Sequence, residues 1–152
     1  MKYQHEIIID LPLKETIAKM DNIENMKHWQ SGLTHYELIS GTPGEEGAKM
    51  KLFYDFGKRK MVLTETIIKR NLPHEFFASY TTKGVYNLQN NYFEPVLNGK
   101  TKWTSKSEFQ FKGFTMKAIG FLMPNAFKKQ SLKYMLDFKA FAERGESVLN
   151  NS

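Results

Sequence analysis

Four histidines, one carboxylate set among threonines and a short amide-rich run are the side chains best suited to chemistry in this 152-residue chain. His5, His28, His35 and His74 fall in four separate segments with no H-E-x-x-H spacing, so they offer no convergent metal site. The absence of cysteine removes thiolate ligands, cysteine nucleophiles and disulfides together, and fits a reducing cytoplasm. No G-x-S-x-G elbow links a serine to a histidine. The stretch GTPGEEG, from Gly41 to Gly47, lacks the G-K-[ST] ending of a P-loop and the helix that follows a dinucleotide loop, and reads as a hairpin loop. No metal or other cofactor is expected, and no residue is assigned to catalysis.

The remaining candidates depend on which way a strand faces. Glu65, in VLTETI, would carry a raised pKa if buried. Val62, Thr64 and Thr66 make the better inward set, however, and on that reading Glu65 points to water. Asn87, Gln89 and Asn91 share one face of the next polar strand, with Tyr86, Leu88 and Tyr92 on the other. They either line a cavity or meet solvent, and the register is open. Near the C-terminus, a helix centred on Tyr134 places Met123, Phe127, Gln130, Ser131, Phe138 and Phe141 within about 60° of it at 100° per residue. Lys128, Lys129, Lys133 and Lys139 fall away from that face.

The elements that position these groups follow from periodicity. Tyr3 to Ile9 is short and β-branched and suits a strand. Asp10 stands at an N-cap position with Pro12 and Glu15 in the first turns, and Ile17, Met20, Ile23, Met26 and Trp29 recur every three residues through two short helices broken near Asp21 and Asn22. Ser31 and Gly32 end them. From Leu33 onward about six antiparallel strands alternate with turn signals, including Gly57, Lys83-Gly84 and the two-residue hairpin signal Asn98-Gly99. Gly113 turns the last strand toward a short helix over Lys117 to Met123, Gly120 serves as a hinge, and Pro124 opens the long helix in its first turn. The order is α+β, with one sheet and the helices to one side. Residues 1–146 form a single domain, and 147–152 a loose tail.

Composition narrows the classes further. Hydrophobic residues are 41% and charged residues 25%, a globular balance. No run approaches the roughly 20 apolar residues of a spanning helix, and the N-terminus has no signal-peptide core, so a soluble cytoplasmic protein is expected. The net charge of +6 arises in the last third, where residues 100–152 hold 10 Lys and Arg against 4 Asp and Glu. Lys100, Lys102 and Lys106 lie along a strand and four further lysines along the helix, a dispersed pattern that argues for a solvated face and against nucleic acid. Transient attraction to an anionic membrane is the remaining use of such a face, with Phe121 and Leu122 inserting.

The segments DLPLKETIAKMDNIENMKHWQSGL, ELISGTPGEEGAKMKL, NYFEPVLNGKTKW and KAIGFLMPNAFKKQSLKYMLDFKAFAERG together resemble the helix-grip superfamily of START domains, the birch-pollen allergen and the polyketide cyclase/dehydrase and lipid-transport group, often called SRPBCC. The resemblance implies a curved antiparallel sheet of about six or seven strands wrapped around the long C-terminal helix, with an elongated cavity between them. It also implies a small hydrophobic ligand, such as a lipid, polyketide or isoprenoid-like molecule, bound or transported there. The expected lining is Leu52, Tyr54, Phe56, Phe77, Trp103 and Phe109 from the sheet and Met123, Phe127, Tyr134 and Phe138 from the helix. Ser105, Ser107 and Gln130 would fix orientation. The alternative is an enzyme of cyclase or dehydratase type in the same cavity, with Tyr134, Glu65 or a histidine as acid or base. No fixed spacing supports that alternative, so the expectation leans away from an enzyme.

Overall fold

The computed structural model describes residues 1–151. Strand β1 (Lys2–Ile9) leads into α1 (Leu13–Met20), a 3₁₀ turn at Ile23–Asn25 and α2 (Met26–Trp29). Six strands follow: β2 (Leu33–Ser40), β3 (Lys49–Asp55), β4 (Lys60–Asn71), β5 (Glu75–Thr82), β6 (Val85–Val96) and β7 (Lys100–Phe111). Helices α3 (Phe114–Leu122) and α4 (Pro124–Arg144) complete the chain before a last 3₁₀ turn at Val148–Asn151. The seven strands form one antiparallel sheet in the order β1-β7-β6-β5-β4-β3-β2, so the first strand is hydrogen-bonded to the last. Irregular pairing in β2–β3 and between Ile67 and Lys69 of β4 bends the sheet as bulges do. This is the helix-grip arrangement, with α4 held in the bend. Among the described residues no helix is long and apolar enough to cross a membrane.

Local details depart from the sequence reading in four places. Pro12, not Asp10, precedes α1, and its carbonyl accepts from the Thr16 N–H at 3.0 Å. Asp10 stays outside the helix, where its N–H donates to Glu143 of α4 at 2.7 Å. The β6–β7 connection has three residues, because Val96 pairs with Lys100, and Asn98 and Gly99 take φ of 66° and 68°. Gly120 sits within α3 because a Cβ there would come within 2.5 Å of the Phe111 ring; it permits close packing and is no hinge. The tail is not loose throughout: Ser147 Oγ lies 2.8 Å from His28 Nδ1, which holds the last 3₁₀ turn to α2. Ser152 lies outside the described residues.

The main core gathers Ile9, Ile17, Trp29, Phe93, Trp103, Met135, Phe138 and Ala142 at one end of α4. Phe138 is fully buried, with its ring 5.2 Å from Trp29 and 5.6 Å from Trp103 in edge-on geometry. Burial of such a side chain contributes about 1.5–3 kcal/mol, and each aromatic pair adds about 0.5–1.5 kcal/mol. A second cluster joins Leu33, Met50, Leu52 and Tyr54 on the inner face of β2 and β3. Every buried residue of α4 lies in its second half: Met135, Phe138 and Ala142.

Candidate ligand-binding site

The β3–β4 hairpin decides what the bent sheet presents to α4. Its register pairs Met50 with Glu65, Leu52 with Leu63 and Tyr54 with Met61. Met50, Leu52 and Tyr54 are buried on the inner face, so their partners share it. Glu65 therefore faces inward, contrary to the sequence expectation, while Val62, of the alternate set, is 43% exposed. The row continues from Glu65 to Tyr80 of β5, Asn87 of β6 and Phe109 of β7. The next row carries Ile67, Ala78, Gln89, Ser107 and Tyr3.

The open question of β6 is thereby answered: Asn87, Gln89 and Asn91 face the helix. Most of their hydrogen bonds stay within the protein. Gln89 Nε2 donates to Asn87 Oδ1 at 2.9 Å, Asn87 Nδ2 to the Glu108 carbonyl at 3.1 Å, and Trp103 Nε1 to Asn91 Oδ1 at 2.9 Å. The amides make a polar floor whose geometry is set before any ligand arrives.

The first half of α4 spans this floor, tied at both sides. Toward β1, the Tyr3 hydroxyl donates to the Phe127 carbonyl at 3.2 Å and contacts Ser131 Oγ, and the His5 ring lies 3.0 Å from the Lys128 carbonyl. Toward β2, Lys133 Nζ donates to Ser31 Oγ at 3.1 Å and the Tyr134 hydroxyl to the Ser31 carbonyl at 3.4 Å. Tyr54 donates to Gln30 Oε1 of the same loop at 2.6 Å. Phe127 closes the far side against Phe109 at 4.9 Å and Phe111 at 5.5 Å.

Glu65 and Tyr80 sit deep in the body of the molecule, yet each keeps part of its surface accessible. They are less tightly covered than Phe138 and Leu52 of the packed clusters. Burial pushes the Glu65 carboxyl above its ordinary range, partly offset by a hydrogen bond from Tyr80. Burial also holds the Tyr54 and Tyr80 phenols well above theirs, with Tyr134 and then Glu65 adding to the rise at Tyr54, and Glu65 and then Tyr54 at Tyr80. Tyr134 is raised by burial as well. Among the described residues, none of the recorded ion pairs includes Glu65. No group of three His, Asp or Glu among them could hold a metal ion.

The residues singled out in the sequence divide accordingly. Leu52, Tyr54, Ser107 and Phe109 lie on the inner face of the sheet, where Leu52, Tyr54 and Ser107 are buried, and Phe127 and Tyr134 lie on the first half of α4. Trp103, Ser105 and Phe138 face inward but are buried at the packed end. Phe77 lies on the convex face, because its neighbour Phe76 packs on the core and strand alternation sends Phe77 outward. There it meets Tyr92 at 5.3 Å and the Lys69 ammonium at 5.2 Å. Phe56 lies beyond the end of β3 and is 39% exposed, stacked on Tyr54 at 5.8 Å. Met123, 52% exposed, precedes α4, and Gln130 is exposed on it. Tyr80 and the inward Glu65 were missed. Counting pairs back from the Gly57 turn would have found Glu65, since the buried alternation of β3 fixes the face of β4. Depressions on the convex side, over Ile8 and Pro95–Leu97 and over Gln4, His74 and Lys106, face away from this row.

No protein-family model and no curated protein matches the sequence. Solved structures match over nearly the full chain. Ara h 8.0201 is 12% identical with a TM-score of 0.76, covering 93% of this chain and 97% of its own. The ZhuI aromatase/cyclase from Streptomyces sp. R1128 is 10% identical with a TM-score of 0.79, covering 95% and 94%. Norcoclaurine synthase from Thalictrum flavum, solved with dopamine and hydroxybenzaldehyde, is 14% identical with a TM-score of 0.69, covering 92% and 84%. Likeness at such identity shows the fold alone.

Proposed function

From this helix-grip fold we propose that the protein binds a small, mainly apolar molecule between the inner face of the sheet and the first half of α4. The accessible but deeply placed pair Glu65 and Tyr80 carries the reading. Leu63, Phe109 and Phe127 supply apolar walls, and Ser107, Tyr134 and the β6 amides supply polar anchors, the mixture typical of small-molecule sites. Structural neighbours that include an aromatase/cyclase and a synthase agree with use of this space for small molecules. Titration with an environment-sensitive apolar dye, with native mass spectrometry of the purified protein, should show saturable one-to-one binding. Absence of both saturable dye binding and a co-purified ligand overturns the proposal.

One observation favours a reaction of cyclase or dehydratase type as the second reading: a carboxyl of raised pKa, paired across the strands with a phenol, is suited to general acid–base work. Turnover of a bound polyketide-type substrate that survives in Tyr80→Phe but is lost in Glu65→Gln would support it; turnover in both would exclude Glu65 as the acid or base.

The rim of the recess bears on how a ligand enters. Phe114, Phe121, Leu122 and Met123 are 91%, 83%, 74% and 52% exposed on and after α3. The surrounding residues 109–136 hold five lysines and no Asp or Glu. Exposed apolar side chains in a segment whose only charges are lysines suit transient docking on an anionic membrane. Sedimentation with phosphatidylserine-containing vesicles should fall in high salt and in the Phe121→Ser/Leu122→Ser double variant. Equal binding to neutral vesicles, insensitive to salt, overturns docking by charge.

A further inference from the structure

The inner-face carboxyl raises a question the apolar reading leaves open: what should the polar end of the ligand be? Glu65 shares the inner face of the sheet with two phenols, Tyr54 of β3 and Tyr80 of β5. Both phenols interact with it electrostatically, and Tyr134 of α4 interacts in turn with Tyr54. Tyr80 pairs with Glu65 across adjacent strands, and the Tyr54 hydroxyl is committed to Gln30. Among the described residues no Lys, Arg or His forms an ion pair with this carboxylate or contributes to its shift.

We propose that this cluster selects ligands whose polar end is a protonated amine and rejects those ending in a carboxylate. A desolvated carboxylate without a counter-ion gains most from a cation brought by the ligand. Tyrosine ring faces attract the same cation and repel an anion. An anionic head would face Glu65 at close range in a site with no cation to receive it, so rejection is built into the pocket as firmly as selection. The inference rests on the binding role proposed above and deepens it. It also opposes the overall charge: with a net charge of +6 the protein as a whole attracts anions, so a preference for an amine can arise only locally.

Decylamine, decanol and decanoate share one apolar chain and differ only at the head. Dye displacement below their micelle thresholds should rank amine over alcohol by about tenfold, a difference of about 1.4 kcal/mol, and alcohol over carboxylate. In Glu65→Gln the amine and alcohol should bind within about twofold of each other. Glu65→Leu should give the same levelling, and circular dichroism melting verifies that each variant is folded. If all three probes bind equally, or decanoate binds best, the amine inference is overturned while the apolar site stands. Unchanged amine preference in both folded variants also overturns it. If none of the three displaces the dye, the recess reading fails and this inference with it.

Discussion

The two halves of α4 carry similar aromatic spacing and live in different surroundings. From Met135 onward the helix buries Met135, Phe138 and Ala142 against Trp29, Phe93 and Trp103, a dry core of interlocking rings. From Pro124 to Tyr134 it buries no residue and is held by polar ties to Tyr3, His5 and the Ser31 loop. What differs is the opposing surface. The second half meets two tryptophans. The first half lies on the side of the sheet that carries the polar row Glu65, Tyr80 and Asn87, in which a buried carboxyl has no cationic partner. An aromatic stripe on a helix therefore does not by itself say core or container; the row across from it does.

The largest expected effect tests that contrast directly. Phe138→Ala should destabilise the protein by about 3–5 kcal/mol, the cost of removing a large ring from a close-packed site. Phe127→Ala should cost about 1 kcal/mol, since its ring is only partly covered. Urea unfolding of both, analysed with a common slope, gives the comparison. Equal losses would mean that the first half of α4 is packed like the second, and the container reading of that end would break.

Much of this architecture was legible from local chemistry. Pro124 at the first position of α4, the Gly113 turn at φ 87° and the alternation of Trp103, Ser105, Ser107 and Phe109 all act within a few residues, and the structure follows them. The site was harder to read because its members are joined by register, which is a long-range property. Glu65 is flanked symmetrically by threonines, so its own strand gives no preference for either face; only the pairing with Met50 decides. Phe77 shows the same limit from the other side. Two adjacent phenylalanines cannot both face inward, and the choice of Phe76 depends on the core around Trp103, far away in sequence. Tyr80 drew no attention because FFASYTT reads as a strand whichever residue faces in.

The smallest effect is the most specific to the open half, because its sign differs from that of ordinary substitutions. Glu65 has a carboxyl pKa raised by burial in the folded protein, against a reference of 4.5 for an ordinary glutamate. Below that range the carboxyl is protonated whether the chain is folded or not, and it exacts no electrostatic penalty. As pH rises, the unfolded chain releases the proton first, so the folded state loses stability until its own carboxyl has ionised. Glu65→Gln keeps the shape but never ionises. It should therefore melt close to the parent protein at about pH 4 and above it at about pH 7, with the gap widening steadily between them. Glu143 and Glu146, whose pKa values are lowered, move stability the opposite way but are common to both proteins and cancel in the difference. A gap that stays flat would place Glu65 in water, and one that narrows toward neutral pH would place it beside a cation. A widening gap would mark a carboxylate kept in the recess at a cost to folding, as expected of a group retained for binding and not for stability.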